Sequence, residues 1–224
     1  MKELQMWITY HLDEQIEEYS LKEDEIFRLV KGPDCHVKGE NINHLNSFYS
    51  ELTTLYWVWK NELRSKYVGF NHYRRLFHHQ IELSENECQV LKIVYLQNTI
   101  YQQYKSAHNY QDLDVVLQIL NDYYGENNSY TKYILESNVF IPFCCFIMNY
   151  EDFQSLCRFL FPILFEFDKR NELCLNANNY WEKAMRDFKF DVVKYQCRAM
   201  SFLAERLISC YIIIHLHPLC IESL

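Results

Sequence analysis

Glycine is scarce in this sequence, with 4 residues in 224. The chain contains neither the G-x-x-x-x-G-K-[ST] pattern of phosphate-binding loops nor the G-x-G-x-x-G pattern of dinucleotide-binding folds. Both patterns use glycine where the backbone turns tightly against a phosphate group. Their absence argues against a P-loop enzyme and against the usual dinucleotide-binding fold.

A basic excess is also missing, because 22 lysines and arginines face 30 acidic residues and the formal net charge is −8. Proteins that bind nucleic acids carry an excess of positive charge, so no nucleic-acid partner is expected. The basic residues are nevertheless unevenly spread, and a group of them lies close together in the sequence. A local positive region on an acidic protein suits a small anionic ligand. This group consists of Lys60, Arg64, Lys66, Arg74 and Arg75.

Long apolar runs and paired cysteine motifs are absent as well. The longest apolar run, residues 139–148, is about half of the ~20 residues that a membrane-spanning helix needs. None of the 9 cysteines forms a C-x-x-C pair, and Lys2, Glu3 and Asp13 interrupt any signal-like apolar segment near the start. These features predict a cytoplasmic protein with reduced cysteines and no membrane span.

Apolar stretches that suit strands alternate with amphipathic stretches that suit helices. This alternation predicts an α/β fold with a mainly parallel central sheet flanked by helices. The length predicts a single domain over residues 1–224. Pro142 is expected to place its strand at an edge or a bulge, and Pro162 is expected to bend its helix. Strands are predicted over 4–10, 67–70, 90–96, 139–149 and 211–215, and helices over 48–63, 99–106, 111–124, 153–167, 179–188 and 200–209.

The most informative segment is a short apolar, β-prone stretch, 67–70, that leads directly into His72, Tyr73, Arg74 and Arg75. Arginine is always charged and presents a rigid fork of donors that matches phosphate oxygens. In open α/β sheets, ligands bind just beyond the carboxyl ends of the strands. The pattern therefore predicts an anion-binding site, although two arginines that pair with surface carboxylates would give the same sequence.

Three segments of the sequence together resemble the bacterial capsular-polysaccharide and lipopolysaccharide glycosyltransferases that were long catalogued as a domain of unknown function. A weaker match near the end is L-A-E-R-L at 203–207. The three segments are the blocks G-E-N-I-N at 39–43 and F-Y-S-E-L-T-T-L-Y-W-V-W-K-N at 48–61, then Y-V-G-F-N-H-Y-R-R-L-F at 67–77, and Y-Q-Q-Y-K-S-A-H at 101–108, which leads to Asp112 and Leu113.

The resemblance implies a GT-A-like fold and transfer of a hexose from a UDP- or GDP-linked sugar to a growing surface glycan or lipid-linked oligosaccharide. Some members of the family resemble galactofuranosyltransferases. A lipid-linked acceptor would bring the protein to the inner face of the plasma membrane, with peripheral contact through residues 153–167 or 212–214. Two alternatives are a non-catalytic subunit that binds a nucleotide-sugar and a nucleotide-sugar hydrolase.

Sugar transfer places negative charge on a departing nucleoside diphosphate, which needs cations or donors beside it. Most GT-A enzymes use a divalent metal held by Asp-x-Asp at the end of a strand. Here His72 and Arg74 stand two apart on an extended segment and share a face, so they replace the metal in this interpretation. No divalent metal cofactor is expected. The predicted donor-binding residues, which include two at the end of the first strand that frame the base, are Tyr10, His11, Asn41, Asn43, His72, Tyr73, Arg74 and Arg75.

One Asp-x-Asp sequence exists, at Asp112 and Asp114, but it lies in a helical pattern. Residues two apart on a helix diverge by roughly 200°, so the two carboxylates are not expected to hold one ion.

An inverting transfer needs a base to take the proton of the acceptor hydroxyl. The sequence offers Asp112, His108, Glu51 and Glu205 in no firm order. His108 and Asp112 are four apart and would share a face of a helix that begins early enough. The alternatives are an ordinary acid at a helix start for Asp112, a solvent-facing edge residue for Glu51 and a surface pair of Glu205 with Arg206.

Overall fold

The computed structural model describes residues 2–76, 82–187 and 192–221. Its strands are β1 (Lys2–Tyr10), β2 (Phe27–Lys31), β3 (Ser65–His72), β4 (Glu87–Val90), β5 (Val94–Tyr95), β6 (Val139–Phe140), β7 (Phe146–Asn149) and β8 (His217–Cys220). Its helices are α1 (Glu14–Glu18), α2 (Asn46–Tyr49), α3 (Leu52–Lys60), α4 (Ile100–Ala107), α5 (Tyr110–Tyr124), α6 (Ser129–Glu136), α7 (Tyr150–Arg170), α8 (Ala177–Asp187), α9 (Val193–Gln196) and α10 (Ala199–His215).

Six strands form the central sheet in the order β2-β1-β3-β7-β4-β8. The pairs β1–β2, β1–β3 and β4–β8 are parallel, and β7 runs antiparallel to both of its neighbours. The predicted α/β fold with a mainly parallel sheet flanked by helices is confirmed. Since β1 and β3 are parallel neighbours, with Thr9 opposite His72, their carboxyl ends lie side by side.

The sheet separates two hydrophobic clusters because successive side chains of a strand point to opposite faces. Val68, Phe70 and Phe146 face the larger cluster, which also contains most of the buried residues of α3, α7 and α10. Tyr67 and Ile147 face the smaller cluster on the other side. The helices whose buried residues form the larger cluster also frame the candidate site described below.

The strand predicted at 211–215 is wrong, because these residues form the last turns of α10 and the strand β8 comes after them. α10 is buried over most of its circumference, so its apolar residues show no helical period. The predicted strands 90–96 and 139–149 are each split in two, giving β4 and β5 and then β6 and β7. The sequence also missed β2, an edge strand within an acidic segment.

The helix predicted over 48–63 is two helices with a break at Ser50, whose φ is +49° and ψ −130°. Both parts were located correctly, but the break changes the direction of the chain next to the site. The predicted helix 179–188 corresponds to α8, and its last residue lies outside the described part of the chain.

The helix α7 continues through Pro162 and is largely buried. The residue types that suggested membrane contact for 153–167 therefore form core. Among the described residues, no helix has the length and apolar character required to cross a membrane. The prediction of one domain over residues 1–224 stays a prediction, because several segments lie outside the described residues.

Candidate active site

A cleft of about 560 Å³ opens at the carboxyl end of β3, next to the junction of α2 and α3 and the start of α10. Segments far apart in the sequence meet there, since α10 packs on α2 and β7 pairs with β3. Six of the residues that the sequence singled out line this cleft. They are His72, Arg74 and Arg75 from the end of β3, His108 from the end of α4, and Glu51 and Glu205.

The two arginines after β3 face the cleft because the chain turns sharply there. The main-chain N–H of Arg75 donates a 2.8 Å hydrogen bond to the carbonyl of His72. The Arg74 guanidinium lies 5.2 Å from the centre of the Tyr73 ring, and the Arg75 guanidinium lies 3.8 Å from the centre of the Phe143 ring. Neither arginine forms an ion pair with any carboxylate in the described part of the chain. Both charges are held by aromatic faces and are available to an anion.

Two further arginines line the same cleft: Arg206 lies on α10, and Arg198 lies immediately before it. Neither was among the site residues predicted from the sequence. The Arg198 guanidinium lies over Tyr195 and Phe202, at 4.8 and 5.5 Å from their ring centres, and makes no ion pair with a described carboxylate. Arg206 is buried and donates to Glu205, with a nitrogen–oxygen distance of 2.8 Å. The L-A-E-R-L block at 203–207 contains Arg206, but no local signal indicated Arg198.

His72 is buried among these cations. Burial and the charge of Arg74 are the main causes that lower its pKa to about 3, with smaller effects from His11, Arg75 and Arg198. The ring is therefore neutral at neutral pH. Its Nδ1 accepts a 3.3 Å hydrogen bond from the main-chain N–H of Arg74, which leaves the proton on Nε2. His72 can thus donate one hydrogen bond without adding a full charge.

The end of β1 contributes an aromatic cluster beside this group. The His11 ring lies 6.0 Å from the His72 ring and 5.7 Å from the Tyr73 ring, and its Nδ1 is 3.0 Å from Asn46 Oδ1. Tyr10 precedes it at the last position of β1, half-buried. Neither Tyr10 nor His11 lines the cleft, so their predicted contact with the base stays a prediction.

Asn41 lies in a loop and Asn43 begins the short 3-10 helix Asn43–Leu45 that follows it, and both side chains complete hydrogen bonds of this segment. The side chain of Asn41 donates to the carbonyl of Gly39 and accepts from the main-chain N–H of Asn43, and Asn43 Nδ2 donates to Asp34 O at 2.7 Å. Neither side chain lines the cleft. Their predicted role in donor binding remains untested, and the geometry shows a role in holding the loop.

Other residues of the G-E-N-I-N block, and the residue before it, join this loop to α3. Glu40 accepts from the Tyr56 hydroxyl, and Asn61 exchanges two hydrogen bonds with the main chain of Glu40, at 2.8 and 3.0 Å. Trp57 donates to the carbonyl of Lys38. The first two blocks of the resemblance are thus parts of one structural contact.

Two carboxylates, Glu51 and Glu205, line the same cleft as these cations. Glu205 Oε1 accepts a 2.7 Å hydrogen bond from the main-chain N–H of Phe143, and its other oxygen accepts from Arg206. Burial raises the pKa of Glu205, and nearby Glu51 raises it further, whereas Arg206 opposes the shift. The side chain of Glu205 is 22% exposed, so a substrate hydroxyl in the cleft can reach it. A half-buried carboxylate with a raised pKa is suited to general-base chemistry.

Two of the nine non-glycine residues with a positive φ in the described part of the chain lie beside these carboxylates. Ser50, immediately before Glu51, and Phe143, which donates to Glu205, both have a positive φ, at +49° and +71°. Residues other than glycine seldom adopt such values, and they cluster at functional sites. The Ser50 hydroxyl accepts a 3.0 Å hydrogen bond from Ser201 on α10, which ties the strained turn to the opposite wall.

Asp112 lies outside the cleft, in a smaller buried cavity behind it. Its Oδ1 is 2.5 Å from Lys183 Nζ, and Lys183 is also 2.7 Å from Asp187. The condition for a common helix face with His108 is not met, because α4 ends at Ala107, His108 is extended and α5 begins only at Tyr110. His108 lines both cavities, and burial is the main cause that lowers its pKa to about 4.

The Asp-x-Asp sequence lies in α5, as its pattern predicted, and its two carboxylates diverge. Asp114 accepts a 2.9 Å hydrogen bond from Tyr101, whereas Asp112 contacts Lys183. Across residues 2–76, 82–187 and 192–221, no group of three or more His, Cys, Asp or Glu side chains is placed to hold a metal ion.

Comparisons with known proteins agree with this architecture. A family model described as a domain of unknown function (DUF4422) matches residues 33–215. No curated protein sequence matches the chain. Among solved structures, the apo structure of the WbbM bifunctional glycosyltransferase has a similar fold, with a TM-score of 0.70 over 98% of this chain at 19% identity. This chain spans 44% of that protein, so the likeness concerns less than half of it.

Proposed function

Because the chain belongs to the family described as a domain of unknown function (DUF4422), and its fold is similar to that of a glycosyltransferase, we propose that it is a glycosyltransferase. It moves a hexose from a UDP- or GDP-linked donor to a growing surface glycan of the capsule or lipopolysaccharide type. The observation that carries the proposal is the set of three guanidinium groups, Arg74, Arg75 and Arg198, that line one cleft without a described carboxylate partner.

The donor diphosphate is the ligand that this set fits. Arginine forks match phosphate oxygens, and charge-assisted hydrogen bonds of this kind are roughly twice as strong as neutral ones. Aromatic rings hold Arg74 and Arg75 in place, so little side-chain entropy is lost when the anion binds. Neutral His72 lines the same cleft and adds a hydrogen-bond donor. In this proposal the cations take the role of a divalent metal.

Transfer then needs one base and one stabilised leaving group. In an inverting transfer, the acceptor oxygen attacks the anomeric carbon while its proton passes to Glu205. The bond from the anomeric carbon to the phosphate oxygen breaks, and the electron pair leaves with the nucleoside diphosphate. Arg74, Arg75 and Arg198 stabilise the charge that develops on that group. Glu51 is the alternative base, because it lines the same cleft.

Turnover of nucleotide-sugars tests this proposal. The protein is incubated with UDP- and GDP-hexoses and a fraction of lipid-linked oligosaccharides in excess EDTA, and release of nucleoside diphosphate is measured. We expect release that requires the acceptor, that persists in EDTA and that falls at least 100-fold in Arg74→Ala/Arg75→Ala. Arg64→Ala is the matched control, because Arg64 is exposed and pairs with Glu62 away from the cleft.

The outcomes separate the remaining functions. Release that needs no acceptor indicates a hydrolase. Donor binding without release from any pair indicates the non-catalytic subunit. Loss of release in EDTA, restored by a divalent cation, would contradict the metal-independent proposal.

A further inference from the structure

A groove of about 380 Å³ lies beside the cleft, between α8 and the segment that leads through α9 into α10. Three apolar side chains line it: Trp181, which is 36% exposed, Val192, which is 62% exposed, and Tyr195, which is 37% exposed. The Trp181 ring contacts the Phe48 ring edge-on, with centroids 5.6 Å apart, so one wall of the groove is held by the core. Exposed apolar side chains gathered in a groove indicate a binding surface.

The charged residues among the described lining of this groove are both basic. Lys194 and Arg198 line it together with the apolar residues, and no acidic residue is among the described side chains of its lining. This is notable on a chain whose formal net charge is −8. A ligand that fits the groove therefore combines an apolar portion with an anionic group.

The groove is continuous with the cleft, because Tyr195 and Arg198 line both of them. The Arg198 guanidinium lies over the Tyr195 ring at the boundary. An apolar chain in the groove would therefore place its anionic end at Arg198, next to the site where the sugar is transferred.

We propose that the groove binds the apolar chain of an amphiphilic acceptor, whose phosphate contacts Lys194 and Arg198 and whose sugar end enters the cleft. This inference rests on the proposed glycosyltransferase function. A flat bilayer surface is a different occupant, since it would contact Met185 as well. Met185 is 60% exposed on the same helix as Trp181 but does not line the groove.

Binding of monomeric dodecyl phosphate, below its critical micelle concentration, provides the test. Calorimetry should show saturable binding at least tenfold tighter than binding of inorganic phosphate or of dodecyl glucoside. From octyl to decyl phosphate the affinity should rise by a factor of about four per methylene, and the gain should stop once the groove is filled. Partition into a bilayer or micelle has no such limit.

Variants assign the binding to the groove. Trp181→Ser and Val192→Asp should each weaken dodecyl phosphate binding at least tenfold, and Lys194→Gln should weaken it without affecting dodecyl glucoside. Met185→Ser is the matched control and should bind like the wild type. Thermal unfolding followed by circular dichroism shows that each variant is folded, and UDP affinity should stay within twofold in all four.

Three results would overturn the groove assignment: no binding of dodecyl phosphate, an equal loss in Met185→Ser and Trp181→Ser, or binding only to phosphatidylglycerol vesicles. Failure of the proposed function looks different. A wild-type protein that binds dodecyl phosphate but neither UDP nor GDP would contradict the glycosyltransferase proposal and leave the amphiphile site standing.

Discussion

The main-chain N–H of Phe143 donates a 2.7 Å hydrogen bond to the carboxylate of Glu205, from a residue 62 positions earlier in the chain. Phe143 has a φ of +71°, which is unfavourable for any residue with a side chain. Its ring meanwhile lies against the Arg75 guanidinium. One strained residue therefore positions both a candidate base and a candidate phosphate-binding cation. Such orientation before the substrate arrives is what electrostatic catalysis requires.

Substitution of the candidate base should separate chemistry from binding. We expect Glu205→Gln to lower kcat by about 10²–10⁴-fold, the typical contribution of general-base catalysis. UDP affinity should change little, since Glu205 is not among the groups proposed to bind the diphosphate; the amide oxygen keeps the hydrogen bond from Phe143, and the hydrogen bond from Arg206 is lost. The exposed Glu126→Gln is the control. If Glu51→Gln shows the large loss and Glu205→Gln does not, the roles of the two carboxylates are exchanged.

Two glycines with positive φ provide a matched pair for the contact between the loop and α3. Gly39 has a φ of +95°, and a Cβ there would lie 1.8 Å from Asn61 Oδ1, whereas Gly125 has a φ of +83° and nothing within 4 Å. Gly125→Ala should lower the free energy of unfolding by about 1 kcal/mol, from backbone strain alone. Gly39→Ala should cost roughly 2 kcal/mol more because Asn61 must move. Urea unfolding measures both, and equal losses would contradict the role assigned to Asn61.

Much of the site was predictable because it is local in sequence. The apolar strand that ends at His72 and the arginines after it are adjacent in the chain, and the sheet brings them to the cleft without long-range information. Arg198 is different. It reaches the cleft because α10 packs on α2, and it follows a short helix without any distinctive pattern. Asp112 is the opposite case. The sequence suggested it as a base, but tertiary packing places it outside the cleft and beside Lys183, which no local pattern indicates.

Prediction of the fold from the sequence had the same limit, because contacts between distant residues leave no local pattern. A helix buried on most sides, such as α10, has apolar residues at every position, so 211–215 resembles a strand by composition. Ser50 contains no local sign that the helix breaks there. Its positive φ is stabilised by Asn46, whose side chain donates to the Ser50 carbonyl at 2.9 Å, and by the Ser201 hydroxyl. Neither contact can be inferred from sequence periodicity.

The two buried histidines of the cleft should make the protein sensitive to acid. Their pKa values, about 3 for His72 and about 4 for His108, lie below the ordinary value near 6.5, so the unfolded state takes up protons first. Their contribution to stability is therefore complete above pH 6.5 and falls as the pH drops below it. At pH 5 each should reduce the free energy of unfolding by about 2 kcal/mol relative to pH 7.5.

The control for this prediction is a comparison with His72→Gln/His108→Gln. Buried Asp112 and half-buried Glu205 have raised pKa values and act in the opposite direction, so the wild type alone is not decisive. The difference between wild type and variant should shrink between pH 7.5 and pH 5. A difference that does not change with pH would show that the histidines are not held neutral.

The buried pair of Lys183 and Asp112 predicts a large effect on stability. Lys183→Met leaves the Asp112 carboxylate buried without its cation and should cost about 3–5 kcal/mol. Lys183→Met/Asp112→Asn removes the buried charge as well and should recover part of that loss. Lys132→Met, at an exposed lysine on α6, is the control. Equal stability of the single and double variants would show that Asp112 does not depend on Lys183.

The central claim is that the two arginines after β3, which pair with no described carboxylate, bind the diphosphate of a nucleotide-sugar donor. Calorimetric titration with UDP and GDP in excess EDTA tests it most directly, in the wild type, Arg74→Gln/Arg75→Gln and the control Arg64→Gln. We predict that one of the two nucleotides binds the wild type and Arg64→Gln equally. The double variant should lose at least 30-fold in affinity, since each hydrogen bond to a charged group contributes about 1.5–3 kcal/mol. Equal affinity in all three proteins, or binding that appears only when a divalent cation is added, would contradict the account.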